Sequence, residues 1–311
     1  MEYAKDIRWA AGITLREFVA QLGSVGFQSI EVARAAQAIV KMKKSGAKIL
    51  LTFTSNMVTS GLRGLFAQCI EKGMADVVIT TVGAIEEDIM KASGEQFVVG
   101  SFYADDVSLH EKGLNRVGNL MIANESYARF ESYMLPVLKE MYAKKARWTV
   151  AEMLHFIGAR ITDEQSILHQ AAMRDVPIFC PAITDGALGF HLYLFQQKHP
   201  DFVIDVVGDF KLMLGKLSHD DRKGLIALGG SVSKHHAILA ALLSGGLDYA
   251  VYISTARPGS GSMSGATTQE AKSWGKIKDD ADAVTVSGDA SVLFPLAIMM
   301  AFEELHEDGV L

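Results

Sequence analysis

Short, nearly continuous apolar runs that end in glycine, serine or threonine constrain the fold most strongly. Six such runs alternate with longer stretches of helical pattern, and they cover residues 48–53, 76–81, 176–180, 225–228, 249–254 and 283–286. Runs without regular polar alternation are typical of strands that are covered on both faces. Helical patterns at residues 31–44, 127–142 and 232–243 lie among them. The order predicts an α/β fold with a parallel sheet and helices on both faces.

The chain shows no proline-rich or serine-rich linker and no repeat of fixed period. Its 311 residues are about twice the usual domain size of roughly 150. Because the sequence has no segment of linker composition, one large domain is favoured over two. We expect residues 1–45 to form an N-terminal helical extension and residues 46–311 to form the domain.

Composition excludes several classes of protein. Acidic residues outnumber basic ones by 36 to 30, with no basic tail, which argues against a nucleic-acid surface. The two cysteines, Cys69 and Cys180, are too few for a disulfide framework or a cysteine metal cluster, so we expect them to be buried thiols in a reducing compartment. The longest apolar run, residues 292–302, is about half the length of a membrane span. We therefore expect a soluble, cytoplasmic protein without nucleic-acid or membrane partners.

Small and polar residues follow five of the predicted strands. The segments are 55–56, 81–83, 184–186, 229–231 and 287–289. Open parallel sheets bind ligands outside the carboxyl ends of their strands. The Gly229–Ser231 segment could hold a phosphate at a helix N-terminus or be an ordinary βα turn. Neither a G-x-G-x-x-G fingerprint after the first strand nor a Walker sequence is present, so a standard dinucleotide or P-loop site is not supported.

A glycine- and serine-rich loop leads into a short helical pattern that begins near Thr267 or Thr268. Glu270 and Trp274 are four residues apart, which predicts a shared helix face, and Lys276 follows shortly after. A carboxylate and an indole on one face could hold an ammonium ion. Spacing alone favours the alternative, a solvated helix with one anchoring tryptophan.

Six blocks carry a resemblance that changes this interpretation. They are residues 54–63, 80–88, 113–119, 181–186, 233–236 and 273–277, and together they resemble deoxyhypusine synthases. The resemblance implies a Rossmann-like fold, NAD as cofactor, and a homotetramer with active sites at subunit interfaces. It also implies transfer of the 4-aminobutyl group of the polyamine spermidine to a lysine of an initiation factor 5A-type protein.

The same resemblance assigns roles to individual residues, and it implies no metal. Lys276 would form the covalent imine, His235 would lie beside the reacting amine, and Glu270 and Trp274 would line the amine site. The implied NAD contacts are Ser55, Asn56, Thr59, Thr81, Gly83, Glu87, Asp185, Gly261, Ser264, Gly288 and Asp289.

These assignments make chemical sense. Oxidation of an amine needs a hydride acceptor, and a lysine can then hold the carbon skeleton as an imine. An ordinary lysine has a pKa of about 10.4, so burial beside the indole must lower the pKa of Lys276. Histidine can take up a proton near neutral pH. The adjacent His235 and His236 point in different helical directions, so they do not form a metal pair, and we expect one of them only to pack.

Four residues depart from the family pattern in the implied amine pocket. Phe190, Met263 and Ser260 stand where the family has aspartates, and Leu239 stands where it has an asparagine. A buried ammonium without a counter-charge is costly, so these changes should penalise spermidine. Three interpretations stay open: a divergent deoxyhypusine synthase, a related enzyme that makes homospermidine or a similar polyamine from a small-amine acceptor, and a non-catalytic NAD-binding scaffold.

Overall fold

The computed structural model describes residues 3–311. In this part of the chain the strands are β1 (Lys48–Phe53), β2 (Val77–Thr80), β3 (Val98–Val99), β4 (Leu114–Val117), β5 (Leu120–Ala123), β6 (Arg147–Trp148), β7 (Ile178–Phe179), β8 (Val203–Ile204), β9 (Lys223–Leu228), β10 (Leu247–Ser254) and β11 (Ile277–Ser287).

The helices of the same residues are α1 (Leu15–Leu22), α2 (Gln28–Lys44), α3 (Ser55–Met57), α4 (Arg63–Glu71), α5 (Val82–Ala92), α6 (Asp106–Glu111), α7 (Asn124–Lys144), α8 (Val150–Gly158), α9 (Ile167–Met173), α10 (Ala187–Lys198), α11 (Val206–Gly215), α12 (Ser231–Leu243), α13 (Thr268–Lys272) and α14 (Ala290–Glu307). A π-helical turn spans Val58–Leu62, and a 3-10 turn spans Pro258–Ser260. No helix in residues 3–311 is long and apolar enough to cross a membrane.

The chain forms two compact units. The first contains the residues up to Phe53 together with Met74–Ile79 and Met213–Leu311, and the second contains Thr54–Gly73 and Thr80–Leu212. The predicted boundary at residue 45 does not coincide with this division, because α1 and α2 belong to the first unit with β1. A separate role for residues 1–45 stays a prediction.

A parallel sheet organises the first unit, with its strands in the order β11, β10, β9, β1, β2. Strand β9 pairs in parallel with both β1 and β10, and β10 pairs in parallel with β11. Helices α2 and α14 pack against β10, and α12 packs against β1 and β9. Side chains such as Leu50, Ile226 and Val251 are fully or almost fully buried between these layers. The predicted α/β fold with a parallel sheet is confirmed.

Helix α5 lies at the centre of the second unit, where it contacts α3, α7, α9 and α10. Asp88 of α5 is buried and accepts hydrogen bonds from Arg63 Nε (2.5 Å), Ser166 Oγ (2.8 Å) and the backbone N–H of Leu168 (2.8 Å). Satisfying a buried carboxylate in this way fixes α4 and α9 against α5. Two small sheets complete the unit: one contains β3, β5 and β4, and the other contains β6 and β8.

Local capping explains where several helices begin. Thr14 and Glu17 form a reciprocal capping box at the start of α1, and Thr149 and Glu152 form another at the start of α8. Each pair satisfies otherwise unpaired N–H groups of the first turn. The two cysteines, Cys69 and Cys180, are free and buried as the sequence predicted.

Candidate active site

The carboxyl ends of β9, β10 and β11 in the first unit lie at the same level in the sheet. Ile253 pairs with both Leu228 and Val286. Just beyond these residues, the N–H of Gly229 donates to the carbonyl of Ile253 (2.8 Å), and the N–H of Gly288 donates to that of Ser254 (3.0 Å). Gly229 and Gly288 therefore lie at the same edge of the sheet, where the parallel-strand rule predicts a ligand.

The glycine-rich loop packs against the start of α12. The N–H of Ser231 donates to Ser264 Oγ over 2.9 Å. A Cβ built on Gly230 would lie only 2.3 Å from Ser264 Cβ, so this approach needs glycine. The turn at residues 229–231 is thus engaged with the loop, and its predicted contact with a phosphate stays a prediction.

The other cofactor residues predicted in the first unit are accessible. Asp289 is exposed and caps α14, where it accepts the N–H of Ser291 (2.8 Å). Gly261 has a φ of +67°, and a Cβ built there would meet nothing within 4 Å. A carboxylate and open backbone of this kind suit the hydroxyl groups and phosphates of a nucleotide.

Lys276 lies in a buried position between α13 and β11, immediately before β11 begins. The residue is 5% exposed, and its Nζ lies 4.8 Å from the centroid of the Trp274 ring. Burial lowers the pKa of Lys276, while the charge of Glu270 raises it. An amine with a lowered pKa is neutral more often at physiological pH, as an imine-forming lysine requires.

The predicted helix face shared by Glu270 and Trp274 is wrong, because α13 ends at Lys272. Trp274 lies in the turn that follows, and Gly275 takes a φ of +70° before the chain enters β11. The indole still lies beside Lys276, but the turn after α13 positions it there and not the helix. Trp274 is 61% exposed, so most of its surface is accessible.

His235 and His236 differ in their surroundings on α12. His235 is exposed, whereas His236 is half-buried, and burial followed by the charge of His235 lowers the pKa of His236. This difference agrees with the expectation that one of the pair only packs. No group of three or more histidine, cysteine, aspartate or glutamate side chains within residues 3–311 could hold a metal ion.

Sequence reasoning gave no role to Lys234, which the structure places in the same region. The residue is 2% exposed, its Nζ donates to the carbonyl of Ala266 (2.7 Å), and it lies 4.1 Å from the centroid of the Tyr252 ring. Burial lowers its pKa to about 8, against the opposing charge of Glu270. The signal in the sequence was a lysine within the otherwise small or apolar inner face of α12.

Three predicted cofactor residues meet in the second unit. The N–H of Ser55 donates to Thr81 Oγ1 over 3.0 Å. A Cβ built on Gly83 would lie 2.9 Å from Ser55 Cβ, so glycine permits the close approach of α3 and α5. The N-terminus of α5, which Thr81 does not cap with its side chain, can accept an anionic group.

Thr59 and Glu87 also meet. Thr59 Oγ1 lies 2.8 Å from one carboxylate oxygen of Glu87 and 2.7 Å from the other. Burial raises the pKa of Glu87 to about 7, although the hydrogen bond from Thr59 and the charge of Lys91 act in the opposite direction. Glu87 can therefore gain or lose a proton near neutral pH.

The remaining residues predicted for the second unit are exposed. Asn56 accepts a hydrogen bond from the Thr54 hydroxyl, and Asp185 lies in the loop before α10. Phe190 is 57% exposed and stacks on Tyr193 with 6.5 Å between ring centroids. The implied pocket position at residue 190 is thus an accessible aromatic surface.

The three other altered positions lie in the first unit. Leu239 and Met263 are half-buried, whereas Ser260 is exposed and donates to the carbonyl of Arg257 (3.1 Å). None of the four altered side chains carries a charge.

The donor set suits NAD, since it combines hydroxyl groups, backbone N–H groups at a helix start and carboxylates. The first unit contributes Gly261, Ser264, Gly288 and Asp289, and the second contributes Ser55, Asn56, Thr59, Thr81, Gly83, Glu87 and Asp185. One pocket containing both groups stays a prediction.

Comparison with known proteins gives a consistent assignment. A sequence model of the family described as deoxyhypusine synthase matches residues 17–301. A probable deoxyhypusine synthase of Schizosaccharomyces pombe is 38% identical over 308 residues, which cover 94% of this chain and 88% of the relative. A deoxyhypusine synthase of Senecio vernalis is 40% identical over 268 residues, which cover 84% of this chain and 72% of the relative.

Solved structures agree with this family assignment. A crystal structure of a deoxyhypusine synthase candidate from Entamoeba histolytica superposes with a TM-score of 0.68 at 27% identity, covering 96% of each chain. A complex of AgrE with ornithine and NAD⁺ shares the fold alone, with a TM-score of 0.55 at 12% identity over 89% of this chain and 34% of the other. The family match, the relatives and the shared fold lead to one conclusion: the chain belongs to the deoxyhypusine synthase family of transferases.

Proposed function

We propose that the protein is an NAD-dependent aminobutyl transferase that oxidises a polyamine and holds the aminobutyl group as an imine on Lys276. The acceptor is a lysine of an initiation factor 5A-type protein, and the enzyme works in the cytoplasm as a homotetramer. The observation that carries this proposal is the buried amine of Lys276 beside the Trp274 ring, 4.8 Å from its centroid. The family assignment supports the same chemistry.

The chain's own residues account for the lysine step. NAD, when bound, would accept the hydride that the amine loses and would return it to the C=N bond that the acceptor lysine forms when it displaces Lys276. The neutral Nζ of Lys276 adds to the carbon of the resulting C=N bond, and the original amine departs with its electron pair and a proton. The new C=N bond joins the aminobutyl carbon to Lys276, because its nitrogen has replaced the nitrogen that left.

His235 and Glu270 fit supporting roles. His235 is exposed on α12 and can exchange a proton with a bound amine. The carboxylate of Glu270 can attract an ammonium ion while also opposing the loss of positive charge at Lys276. Glu270 therefore favours binding of the charged amine but works against deprotonation of Lys276, for which burial is responsible.

A second candidate transfers the same group to a small amine, which yields homospermidine or a related polyamine. The four uncharged side chains at the altered positions favour it, especially the exposed aromatic ring of Phe190. An ammonium group buried against Phe190 would lack the charge partner that an aspartate provides. A donor or acceptor with fewer buried charges fits this surface better.

A product assay separates the candidates. Purified protein and NAD are incubated with spermidine or other polyamines, each with an initiation factor 5A-type protein or a small diamine, and products are identified by mass spectrometry. We expect an aminobutyl adduct on the protein acceptor. A new polyamine without a protein adduct would support the second candidate, and NAD binding without any product would support a non-catalytic scaffold.

Two lysine variants provide the control. Lys276→Ala should abolish transfer, whereas Lys272→Ala should retain it, because Lys272 donates instead to the carbonyl of Asp279 (2.6 Å). Equal activity of the two variants would overturn the role of Lys276.

A further inference from the structure

The π-helical turn Val58–Leu62 breaks the regular helix between α3 and α4. Gly61 within it has a φ of +107°, a left-handed conformation that favours glycine. π-helical turns are rare and occur frequently at functional sites. This turn carries Thr59, which contacts Glu87.

Lys91 of α5 is bound to the same turn. Its Nζ donates to the carbonyl of Val58 (2.6 Å) and lies 3.4 Å from the carbonyl of Thr59. The ammonium group also lies 4.6 Å from the centroid of the Phe97 ring. These contacts give a half-buried cation two carbonyl partners and an aromatic face.

Glu87 and Lys91 are four residues apart on α5, with the acid nearer the helix N-terminus. This order and spacing place opposite charges on one helix face. Lys91 thus acts on Glu87 in two ways: directly through its charge, and indirectly through the turn that presents the Thr59 hydroxyl.

We infer that Lys91 is a positioning residue: it holds the π-helical turn so that the Thr59 hydroxyl stays within hydrogen-bond distance of the carboxylate of Glu87. The part of this inference that concerns cofactor or amine binding rests on the proposed function, in which Thr59 and Glu87 contact NAD. The part that concerns the turn and the carboxylate does not depend on it.

Several other groups shift the pKa values of Glu87 and Lys91, each in a known direction. Glu86 on the same helix raises the pKa of Glu87, and Thr59 on the turn lowers it. Glu87 in turn raises the pKa of Tyr127, which α7 contributes. For Lys91, burial is the largest influence and lowers its pKa, the charge of Glu87 raises it, and the smaller influences of Arg63 and Asp88 oppose each other. Removal of the cation at position 91 should therefore raise the pKa of Glu87 above about 7.

The test compares Lys91→Met and Lys91→Arg with Lys139→Met, a control at an exposed lysine of α7 in the same unit. The titration of Glu87 is followed in cofactor-free protein by carbon-13 NMR of labelled glutamate carboxyls, assigned with Glu87→Gln. Amide exchange is measured across residues 58–62. NAD binding is then measured by calorimetry between pH 6 and 9.

We expect Lys91→Met to raise the midpoint of the Glu87 titration by about one pH unit and to speed exchange in the turn about tenfold. The pH profile of NAD binding should shift upward by the same amount, and Lys91→Arg should restore all three measurements toward those of the unmodified protein. If Lys91→Met does not fold, Lys91→Gln keeps a donor without the charge and should still shift the titration.

Unchanged titration and exchange in folded Lys91→Met or Lys91→Gln would overturn the inference. A protein that binds no NAD at any pH would instead refute the proposed function, while titration and exchange would still decide the role of Lys91. A titration shift without any change in the NAD profile would show that Glu87 does not contact the cofactor and would overturn the binding part of the inference.

Discussion

Replacement of Gly230 by alanine tests whether contact between α12 and the glycine-rich loop shapes the candidate site. A Cβ at position 230 would lie 2.3 Å from Ser264 Cβ and 2.6 Å from Ser264 Cα. The second of these atoms belongs to the backbone, so rotation of the serine side chain cannot relieve the overlap. The loop must move instead.

The size of the effect follows from the distances. Ordinary carbon contacts begin at 3.4 Å, so the loop must retreat by the difference from 2.3 Å, which is about 1 Å. Overpacking on this scale costs about 1–3 kcal/mol of unfolding free energy. A displacement of about 1 Å at Ser264 also breaks its 2.9 Å hydrogen bond with the N–H of Ser231, which should weaken NAD binding about tenfold or more.

Gly259→Ala provides the matched control, because a Cβ at that position of the same loop meets nothing within 4 Å. Urea unfolding measures stability, and calorimetric titration measures NAD affinity. We expect Gly230→Ala to lose both stability and affinity relative to Gly259→Ala. Equal values for the two variants would refute the packing argument, and a loss of stability with unchanged affinity would place NAD away from the loop.

Three further predictions concern stability, specificity and pH. Asp88→Ala should lower the unfolding free energy by about 3–5 kcal/mol in urea titrations, because it removes one of the two carboxylate partners of the buried Arg63 guanidinium and leaves donors of α9 without their acceptor, whereas Asp106→Ala at an exposed ion pair should change nothing measurable. Phe190→Asp combined with Met263→Asp should tighten spermidine binding about tenfold by calorimetry, and unchanged affinity would mean that these positions do not face the amine. The lowered pKa of Lys276 predicts that its amine reacts with a small aldehyde at lower pH than an ordinary lysine, as competitive labelling across pH can show; labelling only near pH 10 would contradict this.

The sequence predicted the buried strands better than the exposed ones. Residues 48–53 coincide with β1, since the five positions after Lys48 are all buried and four of them are apolar. Strand β11 begins six residues before the predicted start at residue 283. The added part includes Lys278 and three aspartates at an outer strand of the sheet, and an apolar-run criterion cannot detect such residues.

The small antiparallel sheet of the second unit was missed for a related reason. Val98 and Val99 form a strand although they are 60% and 73% exposed, so burial does not explain the strand. Strands β4 and β5 form a hairpin in which Val117 pairs with Leu120 around Gly118, whose φ is +63°. The Gly-Asn pair between them is a hairpin signal that could have been used.

Among the residues of the candidate site, too, some were predicted from the sequence and others were missed. Resemblance picked out Thr59 and Glu87, and the structure brings them within 2.8 Å although 28 residues separate them in the chain. The role of Lys91 was not visible, because it depends on carbonyl oxygens freed for it by a π-helical turn. Lys234 received no role, although its place on the small or apolar inner face of α12 is a local signal of burial; its bond to the carbonyl of Ala266 depends on the path of the loop over α12, which no local pattern encodes.

The central claim is that Lys276 carries the aminobutyl group. The most direct measurement is borohydride trapping in the presence of protein, NAD and each polyamine, followed by peptide mass spectrometry. We predict a reduced aminobutyl adduct on Lys276, dependent on NAD and absent from Lys276→Ala even though that variant still binds NAD. An adduct on another lysine, or none with any polyamine that the enzyme turns over, would contradict the claim.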